Sequence, residues 1–589
     1  MTATTPGRET IQIVEIVQPL CALTYGTSPC TASGTADEKC YNTFGTCQDQ
    51  ANYDGSSALS LYFSRGHVAE QRIEATPGGT RLYIIPSLAN VSTAPTRINI
   101  AGANPDAQGI GNRAICSVTF KDHPHTDRRV DPYLSGRSWD PMTRGSFWTK
   151  WKARNKYHTN IRINVYEGYA GQALGQMVKR SYFVEGVQGP SAQGDVTISG
   201  KDILARIEAR QAQAPIASPG KLSADITAGA TSFNVANCSI ADYDASGTLR
   251  IGDELMTYTT RAAATGSVDF SGVTRGTDGS TASAHSADDS VQLCLRYTDA
   301  RIDDTIKDLL ENYGGVQAAF LNTTAWATEI NDYRTSYLLN TVISEPTPVT
   351  QLISELQESV MVYIWWDERT ALVELKAVRG IDAEPPLITD DLNILAESFS
   401  LTERPRSRAS QVWVFYDHRD FVSSFSDPIN FRQQSIFADL PSEGTDQYGS
   451  PSIRKIFSRW LNAGALADTI ASQVITRFVD IPTEARMKLD AKDRTYWVGD
   501  TLRISHFLDV DSFGVRQIRN WTIVSAEETV PGQIVDYVLE DTTLYGRIHY
   551  IMASGAADYP GAASAPFKNC YIGDANGLLS DGTPCGRIT

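Results

Sequence analysis

The chain has 589 residues, a length that suggests roughly three to five domains at about 150 residues each. Hydrophobic residues make up 41% and charged residues 20%, a balance that excludes a largely disordered protein. The 52 Lys and Arg and the 68 Asp and Glu give a net charge of −16, so the chain is a poor candidate for binding DNA through its phosphates.

Most of the sequence has the pattern of short β-strands, in which runs of Val, Ile, Tyr, Phe and Thr are separated by Gly, Asn and Asp turns. The segment 211–220 is rich in Ala and Pro, as interdomain linkers are. We therefore predict a mainly β, multi-domain chain with α+β parts. In chain order the predicted parts are a Cys-rich segment at 1–60, a first β-barrel-like domain at 61–212, an inserted small β module at 213–296, an α+β domain at 297–390, a second β-barrel-like domain with a long helix at 391–546, and an irregular Gly-rich tail at 547–589.

Three stretches have the periodicity of amphipathic helices. The first begins at Ile302 and ends at Gly314, the second begins at Val349, and the third has Asn462 as its predicted N-cap. Apolar residues at helical spacing are explained by core packing, so these faces are predicted to be structural.

Four of the nine cysteines, Cys21, Cys30, Cys40 and Cys47, lie close together in the sequence. No apolar run reaches the roughly 18 residues of a transmembrane helix, and residues 1–10 lack the apolar core of a signal peptide. The expected site of folding is therefore a reducing cytoplasm, where clustered thiols hold metals more often than they form disulfides.

The spacing of these cysteines is not that of a zinc ribbon or a bacterial ferredoxin. Four thiolates nevertheless match the ligand count of a [4Fe–4S] cluster or of a Cys₄ zinc site. The intervening loops are polar and rich in turn-forming residues, so a metal centre would supply folding energy that they lack. Two disulfides formed after release from the cell, or four unrelated thiols, are the alternatives.

The remaining cysteines suggest further roles. Cys238 and Cys294 bracket the small module and could pair, as could Cys570 and Cys585 in the tail, although the sequence does not decide whether either pair meets. Cys116 lies in an apolar strand pattern and is predicted to be a buried thiol.

Two polar segments have both a functional and a structural interpretation. The segment 122–127 (DHPHTD) could form a metal or acid–base site through His123 and His125, but a capped turn with the histidines on a surface or interface is favoured. The segment 509–514 (DVDSFG) has the look of a calcium loop, but position 520 is Asn520 where a Glu is expected, and a hairpin turn is favoured. The motifs of metalloproteases, α/β-hydrolases and nucleotide-binding enzymes are absent, so we predict that the chain is not an enzyme.

The cysteine segment consists of CALTYGTSPC at 21–30 and KCYNTFGTCQDQANY at 39–53. It resembles the cysteine segment of tailed-phage tail-tip proteins, including the lambda-like tail-tip protein and gene-transfer-agent hub proteins. In that family the cysteines ligate a [4Fe–4S] cluster. The resemblance implies the same role for Cys21, Cys30, Cys40 and Cys47, with zinc as the alternative metal.

Further segments resemble phage tail hub proteins in the same order along the chain. They are DHPHTD (122–127), DPYLSGR (131–137), FWTKWKAR (147–154), VYEGY (165–169), RSYFVEGVQGPSAQGDVTISGKDIL (180–204), RIDDTIKDLLENYGGV (301–316), SEPTPVTQLISEL (344–356), YIWWDERTALVELKAV (363–378) and DRTYWVGDTLRIS with IVSAEE (493–505 and 523–528). The small module, with RIGDELMTYT and TRGTDGSTASAH, is similar to a β module often inserted in phage tail proteins.

The resemblance implies a structural tail hub, or baseplate hub, at the distal tip of a bacteriophage virion. Such a protein closes the tail tube, adapts its symmetry to a central fibre and forms part of the conduit for genome ejection. The implied partners are two further copies in a homotrimer, the distal tail protein ring, a central tail fibre or receptor-binding protein, and the tape measure protein. DNA would pass through without specific binding, which suits an acidic chain.

Two other functions remain open. A tail-associated carbohydrate-binding or peptidoglycan-degrading protein would use the inserted β module. An iron–sulfur or zinc oxidoreductase would need a cofactor-binding motif, and none supports it.

Overall fold

The computed structural model describes residues 2–100, 109–379 and 385–541, together with the backbone of two short paired strands, Tyr550–Met552 and Gly586–Ile588. The rest of the predicted tail at 547–589, with Cys570 and Cys585, lies outside the described residues. Within the described ranges, no helix is both long enough and apolar enough to cross a membrane.

The first β domain is one eight-stranded sheet with the strand order β3-β2-β1-β6-β7-β8-β5-β4. Side chains from both ends of the sheet, such as Phe63 and Phe120, meet in one core with Trp148 of a short helix, so the sheet curls around that core. The strands are β1 (Thr10–Leu20), β2 (Ser57–Ser64), β3 (Ile84–Ile85), β4 (Leu88–Ala94), β5 (Ile115–Lys121), β6 (Arg162–Tyr169), β7 (Val178–Gln188) and β8 (Asp195–Lys201), and the helices are α1 (Gly66–Ala69) and α2 (Phe147–Arg154).

The cysteine segment is a loop within this sheet. β1 and β2 pair antiparallel, and Leu20 lies opposite Ser57 where the loop begins and ends. Residues 21–56 therefore form a long excursion between two neighbouring strands. The predicted division at residue 60 falls inside β2, because the first strand of the sheet precedes the cysteines.

The predicted linker at 211–220 is only partly a linker. Its residues Gln213–Ala214 form β9, which pairs antiparallel with Thr347–Pro348, and Ala214 is fully buried. An Ala- and Pro-rich composition does not reveal such a pairing, because the partner lies more than a hundred residues away.

The small β module has its own core, in which Val235, Met256 and Phe270 are buried. It contains two sheets of order β10-β11-β15-β14 and β13-β12-β16. Its strands are β10 (Lys221–Leu222), β11 (Ser232–Ala236), β12 (Gly247–Ile251), β13 (Glu254–Tyr258), β14 (Thr260–Ala264), β15 (Ser267–Ser271) and β16 (Gln292–Leu293).

The α+β part follows directly. Helix α3 (Ile302–Asp308) continues as a π-helical turn (Leu309–Tyr313) that ends at Gly314, as predicted. The helix predicted from Val349 is also present. The other elements are β17 (Leu295–Ala300), α4 (Thr323–Tyr333), β18 (Leu339–Ile343), β19 (Thr347–Pro348), α5 (Val349–Val360), β20 (Val362–Asp367) and β21 (Leu372–Ala377).

The second β domain combines a six-stranded sheet of order β22-β28-β29-β30-β27-β23 with a three-stranded sheet of order β25-β24-β26. The third predicted helix is α6 (Gly464–Phe478), whose N-cap is Ala463 and not Asn462. The strands are β22 (Leu387–Thr389), β23 (Ser400–Glu403), β24 (Gln411–His418), β25 (Phe431–Ala438), β26 (Ile453–Phe457), β27 (Thr483–Asp490), β28 (Thr501–Ser505), β29 (Arg519–Val530) and β30 (Ile534–Asp541).

One large hydrophobic core joins the α+β part to the second β domain. Trp326 of α4, Trp366 of β20, Trp460 and Trp521 of β29 all belong to it, and each is fully buried. The division predicted at residue 390 therefore marks a change from α+β to β structure, but the residues on its two sides share one hydrophobic core. The prediction of a mainly β, multi-domain chain with α+β parts is confirmed.

Candidate metal centre

The loop between β1 and β2 brings the four predicted cysteines together as free, half-buried thiols. Burial raises the pKa of the Cys40 thiol, and the thiols of Cys47, Cys30 and Cys21 raise it further. Burial also raises the pKa of Cys47, where Cys21 and Cys30 add to the shift. The four sulfur atoms are therefore close enough to act on one another electrostatically.

The donor set suits a metal centre. Backbone groups at Asn42 and Asp49 hydrogen-bond to Cys40 and Cys47 and oppose the rise in pKa without cancelling it, so a metal would have to displace the thiol protons as it binds. Four such thiols are the ligands of a [4Fe–4S] cluster or of a Cys₄ zinc site. Across the described ranges, no three or more His, Cys, Asp or Glu side chains are arranged to hold a metal ion, so a centre would have to draw the thiols together as it binds.

The loop is held in shape mainly by polar contacts. Three single turns of 3₁₀-helix, Ala36–Glu38, Phe44–Thr46 and Gln50–Asn52, shape its second half. Asp49 receives hydrogen bonds from both the amide and the hydroxyl of Thr31, at 2.7 and 2.8 Å. Within residues 21–56 only Tyr25 and Thr43 are buried, so the loop has almost no apolar core of its own.

Arg137 joins the cysteine loop to the rest of the first β domain. Its side chain is fully buried and forms a two-pronged ion pair with Asp131, with N–O distances of 2.9 and 3.2 Å. Its guanidinium also donates hydrogen bonds, at 2.9 to 3.4 Å, to four loop carbonyls, those of Ala36, Asp37, Lys39 and Cys40. A single buried cation thus fixes the backbone that leads into Cys40.

A second contact lies beside Cys40. The guanidinium groups of Arg137 and Arg154 both contact the ring of Tyr41, at 4.5 and 3.9 Å from its centroid. The hydroxyl of Thr43 donates to the backbone carbonyl of Arg154 at 2.6 Å. Two arginines, from the segments DPYLSGR and FWTKWKAR, therefore hold the loop against the sheet.

The segment DHPHTD is part of this support and forms no separate site. Burial alone would raise the pKa of Asp127, but hydrogen bonds from His125, Arg154 and Lys150 outweigh it and hold that pKa well below its usual range. His123 stacks on Phe147, with ring centroids 5.6 Å apart. Of the two histidines, which were expected on a surface or interface, His125 is buried within the chain, and its ring accepts a hydrogen bond from the Asp127 amide.

The other predicted residues have structural roles. Cys238 and Cys294 are free thiols, so they do not form the suggested pair, and Cys116 is fully buried as predicted. The segment 509–514 is a hairpin turn, as favoured, in which the Asp511 carboxylate accepts hydrogen bonds from the amides of Phe513 and Val515.

A buried carboxylate organises the small β module. Glu254 has no exposed surface and accepts two hydrogen bonds from Arg275, each of 2.7 Å, and one of 2.8 Å from His285. The amides of Gly276 and Ser283 complete its hydrogen bonding at 3.0 Å. Glu254 therefore fixes the TRGTDGSTASAH loop, a role that its position in a Gly-Asp-Glu strand turn did not indicate.

Arg137 and Arg154 were not predicted to contact the cysteine loop, because each lies about a hundred residues from it in sequence. The one available signal was that the segments containing them resemble hub proteins together with the cysteine segment.

No protein-family model matches the chain, and no curated protein matches it in sequence. Among solved structures, a tail protein from Neisseria meningitidis MC58 is similar with a TM-score of 0.36 at 9% identity, covering 80% of this chain and 96% of that one. The 43 kDa tail protein of prophage MuSo2 from Shewanella oneidensis gives 0.34 at 8% identity, covering 77% and 97%. A chain of the native gene transfer agent virion gives 0.29 at 12% identity, covering 58% and 93%. TM-scores this low do not establish a shared fold.

Proposed function

We propose that the chain is a structural tail hub protein of a tailed bacteriophage, located in the virion at the distal tip of the tail. There it closes the tail tube, adapts its symmetry to a central fibre and forms part of the conduit for DNA. The observation that carries the proposal is a contact between segments that resemble phage tail proteins separately, the hub-like segments and the cysteine loop. Arg137 and Arg154, from the hub-like segments, hold the tail-tip-like cysteine loop.

The second part of the proposal is that Cys21, Cys30, Cys40 and Cys47 ligate a [4Fe–4S] cluster, with zinc as the alternative. Four free thiols, of which Cys21 and Cys30 act on the pKa of both Cys40 and Cys47, in a loop with almost no core, support this assignment. The cluster would stabilise the loop structurally, since metal binding contributes folding energy where burial is small.

Anaerobic purification of the full chain tests the cluster. We expect iron and acid-labile sulfide in equal amounts, with a broad visible absorption band that fades in air. Cys40→Ser should lose both, whereas Cys116→Ser, which changes a buried thiol outside the loop, should keep them. Finding stoichiometric zinc would show that the alternative metal occupies the site. Finding the four cysteines in disulfides would exclude any metal centre.

The proposed assembly is a homotrimer that contacts the distal tail protein ring, the tape measure protein and a central fibre or receptor-binding protein. The loop between β28 and β29 supports an exposed contact surface. Its side chains Phe507, Leu508, Phe513, Val515 and Ile518 are between 53% and 90% exposed, and apolar groups gathered in this way mark interaction sites. A cryo-EM map of the tail tip tests the position and copy number of the chain, and a location outside the tip would refute the hub proposal.

A further inference from the structure

A group of buried charges joins the first β domain to the second. Glu167 of β6 and Arg180 of β7 face Glu528 of β29, and each of these three residues is at most 6% exposed. Arg180 forms one ion pair with Glu167 and another, of 2.8 Å, with Glu528. One guanidinium is thus shared by two carboxyl groups that belong to different domains.

The two carboxyl groups also lie within hydrogen-bonding reach of each other. The amide of Gln12 donates to Glu167 Oε1 at 3.0 Å, and the backbone amide of Gly532 donates to Glu528 Oε2 at 2.9 Å. Within the described part of the chain, no N–H or hydroxyl of good geometry donates to the buried Oε1 of Glu528. Carboxylates only accept hydrogen bonds, so a bond between two carboxyl groups requires that one of them carries a proton.

The charges around the pair do not replace this proton. Arg494 approaches Glu528 at 3.5 Å as a second cation, but buried Glu368 faces Arg180 as a third carboxyl group. Two carboxyl groups that share a buried site strongly favour the retention of one proton, because two like charges in contact repel each other there. The other titratable groups that face the pair or Arg180 are Cys116, Tyr169, Tyr182, Glu527 and Tyr537.

The surroundings of the two carboxyl groups differ enough to decide which one holds the proton. Burial raises the pKa of Glu167 to about 7, Arg180 opposes the rise, and Glu528 adds to it. Burial alone would also raise the pKa of Glu528, but Arg180 and the hydrogen bond with Glu167 outweigh it and lower that pKa. Glu167 is therefore the acid of the pair, and Glu528 is the carboxylate that accepts its hydrogen bond.

We propose that Glu167 and Glu528 share one proton and that this proton makes the contact between the two β domains sensitive to pH. With the proton bound, an O–H···O hydrogen bond and the Arg180–Glu528 ion pair connect the domains; without it, two negative charges face each other in a buried contact. Folding raises the pKa of Glu167 from 4.5 to about 7, mainly through burial, so the stability that its proton provides is complete below pH 4.5 and is lost as the pH rises to about 7. Glu528 acts in the opposite sense, since its lowered pKa provides stability that is lost only below pH 4.5.

Infrared spectroscopy of the full chain tests for the proton, because the carbonyl stretch of a protonated carboxyl group is distinct from that of a carboxylate. At pH 6 we expect a protonated-carboxyl signal that Glu167→Gln and Glu528→Gln each reduce by one group. Burial also raises the pKa of Glu368 to about 7, so Glu368→Gln is needed to assign the signals, and it should leave the signal of the pair in place. Glu185→Gln, which changes a half-exposed carboxylate paired with Lys201, should leave the spectrum in this region unchanged.

Hydrogen exchange at the Ile98 amide measures the opening of the contact, because this amide donates to the Val524 carbonyl of β29 at 2.9 Å. After correction for intrinsic exchange rates, the opening equilibrium should increase by roughly a hundredfold between pH 4.5 and pH 7.5, since a pKa shift of two to three units changes an equilibrium by about that factor. Glu167→Gln, in which an amide N–H replaces the shared proton, should lose most of this pH dependence, whereas Glu185→Gln should keep it. An infrared signal that neither Glu167→Gln nor Glu528→Gln reduces, or equal pH dependence of opening in Glu167→Gln and wild type, would overturn the proposal.

Discussion

Replacing Arg137 by Met removes the guanidinium that joins the cysteine loop to Asp131 while keeping an apolar side chain of similar length. The Asp131 carboxylate then stays buried without its partner, since its side chain is only 2% exposed. The four loop carbonyls that Arg137 contacts also lose their donor.

The size of the effect follows from burial. Breaking a fully buried ion pair by removing one partner costs about 3–5 kcal/mol, because an uncompensated charge remains inside. The loop carbonyls add less, because none of the residues that carry them is buried and the freed oxygens can bind water. We therefore expect Arg137→Met to lower the unfolding free energy of the loop and its contacts by about 3–5 kcal/mol.

Hydrogen exchange and limited proteolysis measure the loss of stability in the cysteine loop separately from the rest of the domain. Residues 21–56 should lose protection and be cut early, whereas the strands of the first sheet should remain protected. Arg144→Met is the matched control, because Arg144 is exposed and lies 4.1 Å from the Trp139 ring without a buried partner. Adding Asp131→Leu to Arg137→Met should restore part of the lost stability. Unchanged protection of the loop in Arg137→Met would refute the reasoning.

Three further outcomes are expected. Arg180→Met should destabilise the contact between the first and second β domains by about 3–5 kcal/mol in chemical denaturation, because buried Glu167 loses its cation and buried Glu528 keeps only Arg494, at 3.5 Å; an unchanged midpoint would contradict this. Burial alone would raise the pKa of Glu254, but Arg275 and its other partners lower it from 4.5 to about 2, so the small module should be fully stabilised above pH 4.5 and lose that stability as the pH falls towards 2. Glu254→Gln should remove this pH dependence in thermal melts, and a wild-type dependence in the variant would count against it. Phe513→Ser should reduce the oligomeric fraction in mass photometry without changing the melting temperature, whereas Ile216→Ser, at a residue 67% exposed outside the loop, should change neither.

Local patterns predicted the elements well where each element forms its own contacts. The alternation around Val118 and the apolar spacing of α5 led directly to β5 and a core-facing helix. The sequence pattern did not predict α2 or α4. In α2 the aromatic residues Phe147, Trp148 and Trp151 are clustered, and they form the face that packs inside the curled sheet. The short strand within the segment 211–220 was not predicted, because it exists only through pairing with Thr347–Pro348.

The candidate metal centre could be predicted only in part, because some of its features are local in sequence and others are tertiary contacts. Four cysteines in one short segment must lie near one another, and the polar loop between them follows from composition. The support from Arg137 could not be read from the sequence, since nothing local distinguishes a buried, paired arginine from an exposed one. Its importance comes from a tertiary contact about a hundred residues along the chain.

The position of the loop determines what a metal centre there could do. β1 and β2 pair from Leu20 opposite Ser57 onwards, so the pairing of these strands does not depend on the loop. The loop itself buries only Tyr25 and Thr43, so its order comes mainly from polar contacts, among them those that Arg137 makes with its backbone, and from whatever the thiols bind. Loss of a metal centre should consequently disorder residues 21–56 while leaving the eight-stranded sheet folded. A centre placed in this way would shape one exposed surface of the domain.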